Sequence, residues 1–361
     1  MGDKCKINNK ALEKLRVQIN MLPEELAKKT GISFEKYLEI EKGTDSPTPK
    51  QLLDIAEVLR RPLIVFFINE EMIESELALP VDHRKNRDEK ITPEVYLAIR
   101  RAHYVIDTIK ELSNLKSNLP KMADAINSNA LAAQIRKDLK ITLKDLKNKT
   151  ENQVLSYYKD IIENKYDITI FEQPFKASGV RAFSVYSDIS AIVLNEQDKA
   201  HIKIFSLFHE LCHLIRREDG LCSIDFSLES RERVEQFCNK FAAEVLMPVN
   251  KFSEIAKSLM PMDYGDICRL SKIFCVSKEA ILIRLKNLKI IEEDDFKLLS
   301  ETNKSFGLKK GMGRRIWKNV YLNRNGYRLF NIVIEAYKSK TITYSQTLNI
   351  LNINSKYLRV V

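Results

Sequence analysis

The stretch 204–215, IFSLFHELCHLI, constrains this chain more than any other segment. It is apolar almost all round, so a helix built from it must be buried. Three ionisable residues interrupt it: His209, Glu210 and His213. Buried without partners, such groups are costly. A metal ion resolves the problem. At i and i+4 the two imidazoles share one helix face and can reach one ion. Glu210, beside the first of them, can reach a water at that ion. The alternative is a pair of core histidines satisfied by hydrogen bonds.

A catalytic zinc site needs a third protein ligand and an open position. The chain has only five histidines, and the other three, His83, His103 and His201, all precede the motif. A third imidazole from downstream is excluded, which leaves a carboxylate or a thiolate. The next strong helical pattern spans about 231–246, with Val234, Cys238, Phe241 and Val245 as its apolar stripe. Glu235 borders that stripe and can face inward, and the segment after His213 is long enough for a loop and a returning helix. Cys238 is the thiolate alternative, although a buried inert cysteine is commoner. Glu232 and Glu244, on the same helix, are expected to be solvated. Two imidazoles and a carboxylate suit Zn2+ best, and the same ligands accept Mn2+ or Fe2+.

Around this motif the chain is mainly α. At 361 residues it is long enough for two or three domains. Short helices fill the first seventy residues. Leu12, Leu15 and Ile19 recur at helical spacing, a second helix runs over about 23–29, and a third over about 34–41. Gly31 marks the turn between the last two, and Ser33 is placed to cap the third. A fourth helix carries Leu52, Leu53, Ile55, Ala56 and Leu59. Two short helices joined by a glycine-containing turn within such a bundle describe a helix-turn-helix. A linker is expected over 70–91, and helix resumes from 92. Short β-rich runs at 168–171, 180–186 and 191–194 then give a small α+β unit before the motif. A helical pair at 267–274 and 277–288 reads as a hairpin, or as a winged-helix remnant. Further helices are expected over 329–338 and 344–351. The expected domains are 1–69, a helix-turn-helix of four to five helices; 92–300, the domain that carries the metal motif, with helical flanks; and 301–361, a basic helical region.

The net charge of +10 is unevenly spread. Between Leu308 and Arg328 stand Lys309, Lys310, Arg314, Arg315, Lys318, Arg324 and Arg328, with no acidic residue and with Trp317, Tyr321 and Tyr327 interleaved. Arg314, Arg315, Trp317 and Lys318 are therefore candidate nucleic-acid contacts, and the competing reading is a solvated basic loop and helix end. In the helix-turn-helix the residues offered to a DNA groove are Ser33, Phe34, Lys36 and Tyr37. The charge there is nearly balanced over 1–69, with twelve Lys/Arg against ten Asp/Glu, so dimerisation or partner docking competes with DNA binding. No apolar run is long enough to span a bilayer and the first ten residues hold no apolar signal core, so a cytoplasmic protein with free cysteines is expected.

The residues as they stand resemble a known family. FSLFHELCHLI followed by VEQFCNKFAAEVLMP, with RAFSVYSDISAIVLN before them, is similar to the ImmA/IrrE metallopeptidases, and the run LEKLRVQINMLPEELAKKTGISFEKYLEIEKG resembles an Xre-type domain. The resemblance implies a zincin-like fold with His209, His213 and Glu235 as metal ligands and Glu210 as general base. It also implies a protein substrate, typically a repressor with its own helix-turn-helix. A DNA-binding regulator or antitoxin with a sensory, non-catalytic peptidase domain is the alternative. The expected partners are thus a protein substrate, DNA or a second copy of the chain, and no membrane. Tyr186 and Arg181, beside the strands, are candidates for steadying the developing oxyanion.

Overall fold

The computed structural model describes residues 4–73, 92–120, 127–175, 180–217, 228–305 and 317–355. Among them the fold is mostly helical, with one three-stranded sheet. The chain divides into two compact units. The first takes in the described residues of 1–79, 85–101 and 175–179, and the second those of 102–174 and 180–361.

In the first unit, α1 (Asn9–Val17), α2 (Pro23–Thr30), α3 (Phe34–Lys42) and α4 (Pro49–Leu59) form the bundle. Its core is Leu12, Leu15, Leu26, Tyr37, Ile40, Ile55 and Leu59, all fully or nearly fully buried. Pro23 and Pro49 open their helices, where the missing N–H costs nothing. The α2–α3 turn runs through Gly31 at φ +71°, a backbone region that favours glycine. Packing continues past the expected boundary at Asn69: Ile73 is buried, and Lys14 Nζ donates to the carbonyls of Glu70 and Ile73 at 2.7 Å. The first half of α5 (Pro93–Leu112) also belongs here, held by Lys29–Glu94 at 2.7 Å and by Arg100 on the Leu59 carbonyl at 2.8 Å.

The second unit is built around its sheet. Strands β1 (Thr169–Gln173), β2 (Ala182–Val185) and β3 (Ala191–Asn195) stand in the order β1-β3-β2. β1 pairs with β3 in parallel, Phe171 opposite Val193, and β2 pairs with β3 antiparallel, Phe183 opposite Val193. Helix α8 (Ala200–Arg216) packs on β2 and β3 and against α7 (Glu151–Tyr166) and α9 (Leu228–Leu246). Its Ile204, Leu207, Phe208, Leu211, Leu214 and Ile215 are each 1% exposed or less. At about 1.5–3 kcal/mol per large apolar side chain, their burial is what holds α8 in place. Tyr158 of α7 meets Phe208 edge-on, ring centroids 5.0 Å apart. A buried carboxylate ties α7, β1 and α8 together: Glu172 takes Lys159 at 2.5 Å and Lys203 at 2.6 Å.

The downstream helices are α10 (Val249–Lys257), α11 (Tyr264–Phe274), α12 (Lys278–Asn287), α13 (Glu293–Ser305), α14 (Trp317–Asn325), α15 (Tyr327–Lys338) and α16 (Tyr344–Leu351), with α6 (Ser128–Asp138) lying against α9. α14 and α15 pack on β1. Where they join, Gly326 has φ +76° and ψ 148°, and a Cβ there would stand 2.8 Å from the Ile170 carbonyl oxygen. The C-terminal helices are thus built onto the sheet rather than appended to it.

Candidate metal centre

Helix α8 carries His209 and His213 one turn apart, with ring centroids 4.9 Å apart. Helix α9 brings Glu235 across from them. Glu235 Oε2 lies 3.2 Å from His209 Nε2, Oε1 lies 3.2 Å from His213 Nε2, and the two Nε2 atoms are 3.1 Å apart. Nitrogen and oxygen ligands sit about 2.0–2.2 Å from zinc, so tetrahedral neighbours are roughly 3.3–3.5 Å apart. The three donor atoms already stand within a few tenths of an ångström of that separation. Among the described residues, this is the group of three or more His, Cys, Asp or Glu side chains whose donor atoms converge closely enough to hold an ion.

The surroundings prepare the donors. His209 Nδ1 meets Asn239 Oδ1 at 3.0 Å. The amide oxygen accepts, so His209 carries a proton on Nδ1, which leaves Nε2 as the ring nitrogen that would bind an ion. Burial works to raise the Glu235 carboxyl, but the hydrogen bonds and charges of His209 and His213 outweigh it and hold the group well below the usual carboxylate range. The carboxylate is therefore ionised, the form that binds a cation. Glu210 is fully buried, and its Oε2 accepts from the Ser184 hydroxyl of β2 at 2.9 Å.

The other candidates fall elsewhere. Cys238 is fully buried, and burial first, then its hydrogen bond with Cys212, pushes its thiol well up, which disfavours a thiolate. Glu232 is exposed, as expected. Glu244 is not: it is 9% exposed, pairs closely with Arg284 of α12 and accepts the Val249 N–H at 2.9 Å. The expectation of a solvated Glu244 is corrected by a partner forty residues away. Arg181 pairs with Asp198 at 3.2 Å, and the Arg217 guanidinium lies 5.9 Å from the centre of the Tyr186 ring. Asn239 and Ser184 were not singled out as orienting groups from sequence. Asn239 had a signal, since it stands four residues after Glu235 on the same helix face. Ser184 had none beyond its place in a strand.

The proposed DNA-contacting set needs one correction. Ser33 and Phe34 are exposed at the start of α3, but Tyr37 is fully buried and its hydroxyl donates to Glu41, which also takes Arg16 at 2.6 Å. Tyr37 is a core residue of the bundle and is not available to a groove. Lys36 is engaged by Asp45 and by Glu39 at 3.3 Å. In the basic segment, Arg314 and Arg315 lie outside the described residues, as do the side chains of Trp317 and Lys318. Arg324 and Arg328 are described and serve the fold: Arg324 Nε pairs with Glu196 at 2.6 Å and Arg328 with Asp167 at 3.1 Å. No described helix is long and apolar enough to cross a membrane.

Two family models match parts of the chain. No curated protein matches the chain. Among solved structures, a Mycobacterium tuberculosis transcriptional regulator is similar at 18% identity and a TM-score of 0.33, and the match covers 51% of each chain, about half the length of that structure. Residues 12–66 match the family described as helix-turn-helix, the stretch from α1 to the turn after α4. Residues 163–286 match the peptidase family described as the IrrE N-terminal-like domain, which spans the sheet, both histidines, Glu210, Glu235 and Asn239. The chain thus carries a domain that matches the IrrE N-terminal-like peptidase family over residues 163–286, together with an N-terminal stretch that matches the helix-turn-helix family.

Proposed function

We propose that the chain is a zinc-dependent endopeptidase that cuts a regulatory, repressor-like protein. The observation that carries this reading is the convergence of His209, His213 and Glu235, with Glu210 next to the first ligand on a buried helix. These three residues would hold the ion, and the bound ion would acidify water and polarise the scissile carbonyl. Asn239 sets the His209 tautomer. Ser184 holds one oxygen of Glu210 and so fixes the carboxylate's orientation. Glu210 takes the proton of the attacking water and delivers it to the leaving amine. Union with a helix-turn-helix domain supports a substrate in gene regulation, as the family resemblance implies.

The buried Tyr37 and the paired Lys36 count against a pure DNA-binding role. The test compares newly formed protein N-termini in cells making the wild-type chain or Glu210→Gln. A small set of cuts, seen only with wild type and reproduced by purified zinc-loaded enzyme on the purified target, is expected. Identical N-termini in both cultures would contradict the reading.

A further inference from the structure

On α9, Glu235, Cys238 and Asn239 stand at i, i+3 and i+4, one face of the helix. Glu235 reaches the Nε2 atoms of both histidines, and Asn239 accepts from His209 Nδ1 at 3.0 Å. Cys238, between them in sequence, is fully buried against α8. Its side chain is hydrogen-bonded to His213 and to Cys212, which is also fully buried and directly precedes that histidine.

The two nitrogens of the His213 ring have different neighbours. Nε2 lies 3.2 Å from Glu235 Oε1 and 3.1 Å from His209 Nε2, so it is the nitrogen that faces the centre. The Cys238 sulfur is outside that centre: among the described residues, the donors close enough to share one ion are those of His209, His213 and Glu235. A sulfur that touches the ring without joining the donors falls to Nδ1. An imidazole that binds an ion through Nε2 carries its proton on Nδ1, and that N–H needs an acceptor. Buried as it is, it needs one from the protein.

We propose that the Cys238 sulfur is the positioning group of His213, accepting from its Nδ1–H as Asn239 accepts from that of His209. One face of α9 thus supplies the carboxylate that bridges the two imidazoles and the two acceptors that orient them. The inference rests on the reading of His209, His213 and Glu235 as ligands. Cys212 shares the same buried contact between α8 and α9 but is not the acceptor, which makes it the control for packing.

The experiment measures zinc affinity of the full chain by chelator competition, with the His213 Nδ1–H proton followed by NMR in the zinc-loaded, 15N-histidine-labelled protein. Cys238→Ala should weaken zinc about 10- to 100-fold and shift or broaden away that proton, whereas Cys212→Ala should stay within about three-fold of wild type. Cys238→Ser keeps an acceptor in place and should recover affinity to within about five-fold of wild type. Equal losses in the two alanine variants would reduce Cys238 to packing and overturn the proposal. So would a loss under two-fold in Cys238→Ala, or a His213 Nδ1–H proton unmoved by it. Cobalt in place of zinc separates positioning from ligation: no sulfur-to-cobalt charge-transfer band is expected, and a band abolished by Cys238→Ala would overturn the proposal by making the thiolate a ligand. Wild type that takes up no zinc at all would sink the ligand reading itself, and this inference with it.

Discussion

Replacing Gly326 with alanine puts the junction between the C-terminal helices and the sheet under direct strain. The residue has φ +76° and ψ 148°, a region that side chains other than glycine essentially never adopt, at about 1–3 kcal/mol. The new Cβ would also sit 2.8 Å from the Ile170 carbonyl oxygen and 3.3 Å from Phe171 Cβ. Neither neighbour can yield easily. Ile170 is paired through β1 with Ile192 of β3, and Phe171 is fully buried. Relief therefore requires α14 and α15 to lift from β1, which would also strain the Gln173–Arg324 carbonyl bond at 3.1 Å and the Arg324–Glu196 pair. The combined cost is about 3–5 kcal/mol. For a unit of this size that lowers the melting temperature by roughly 6–20 °C. Thermal unfolding followed by circular dichroism, with limited proteolysis to report whether the C-terminal helices are released first, measures it. A melting temperature within 2 °C of wild type and an unchanged cleavage pattern would show that the junction takes up a Cβ at residue 326 without strain.

Other perturbations probe the centre and its supports. Asn239→Ala removes the acceptor on His209 and should weaken zinc about 10- to 100-fold in a chelator competition, while Asn239→Asp keeps the acceptor and should stay within ten-fold of wild type. Burial raises Glu163 to about 7, above its ordinary 4.5. The folded state then holds a proton that the unfolded state has released between those values, so stability contributed by this group falls as pH rises from about 4.5 to 7 and is flat beyond. Glu163→Gln should therefore gain roughly 3 kcal/mol relative to wild type between pH 4.5 and pH 8, read from denaturant unfolding at each pH. An unchanged difference would contradict it. Glu244→Leu leaves Arg284 buried and uncompensated and should cost about 3–5 kcal/mol in the same assay, whereas an effect below 1 kcal/mol would show the pair to be dispensable.

The metal centre was legible because its signal is local. The i, i+4 spacing on an apolar helix declares both histidines, and the absence of any later histidine narrows the third donor to a carboxylate or thiolate within reach; the fold brings the Glu235 carboxylate 3.2 Å from both Nε2 atoms. The helices of the first unit were legible for the same reason, through period and caps. What failed depended on partners distant in sequence. Glu244 borders the apolar stripe of α9 and reads as solvated until Arg284 is placed beside it. Arg324 and Arg328 read as part of a basic patch, but Glu196 and Asp167, more than a hundred residues earlier, take them up. Tyr37 was a misread period rather than a hidden partner: it stands three residues before the buried Ile40, so the helical repeat already placed it in the core.

On the proposed reading, His209, His213 and Glu235 together hold one metal ion. Metal content of the purified full-length chain, measured by mass spectrometry after equilibration with zinc, tests it directly when wild type, Glu210→Gln and Glu235→Ala are compared. About one zinc per chain is expected in wild type and Glu210→Gln, with its loss in Glu235→Ala. Full zinc retention in Glu235→Ala, or none in wild type, would contradict it.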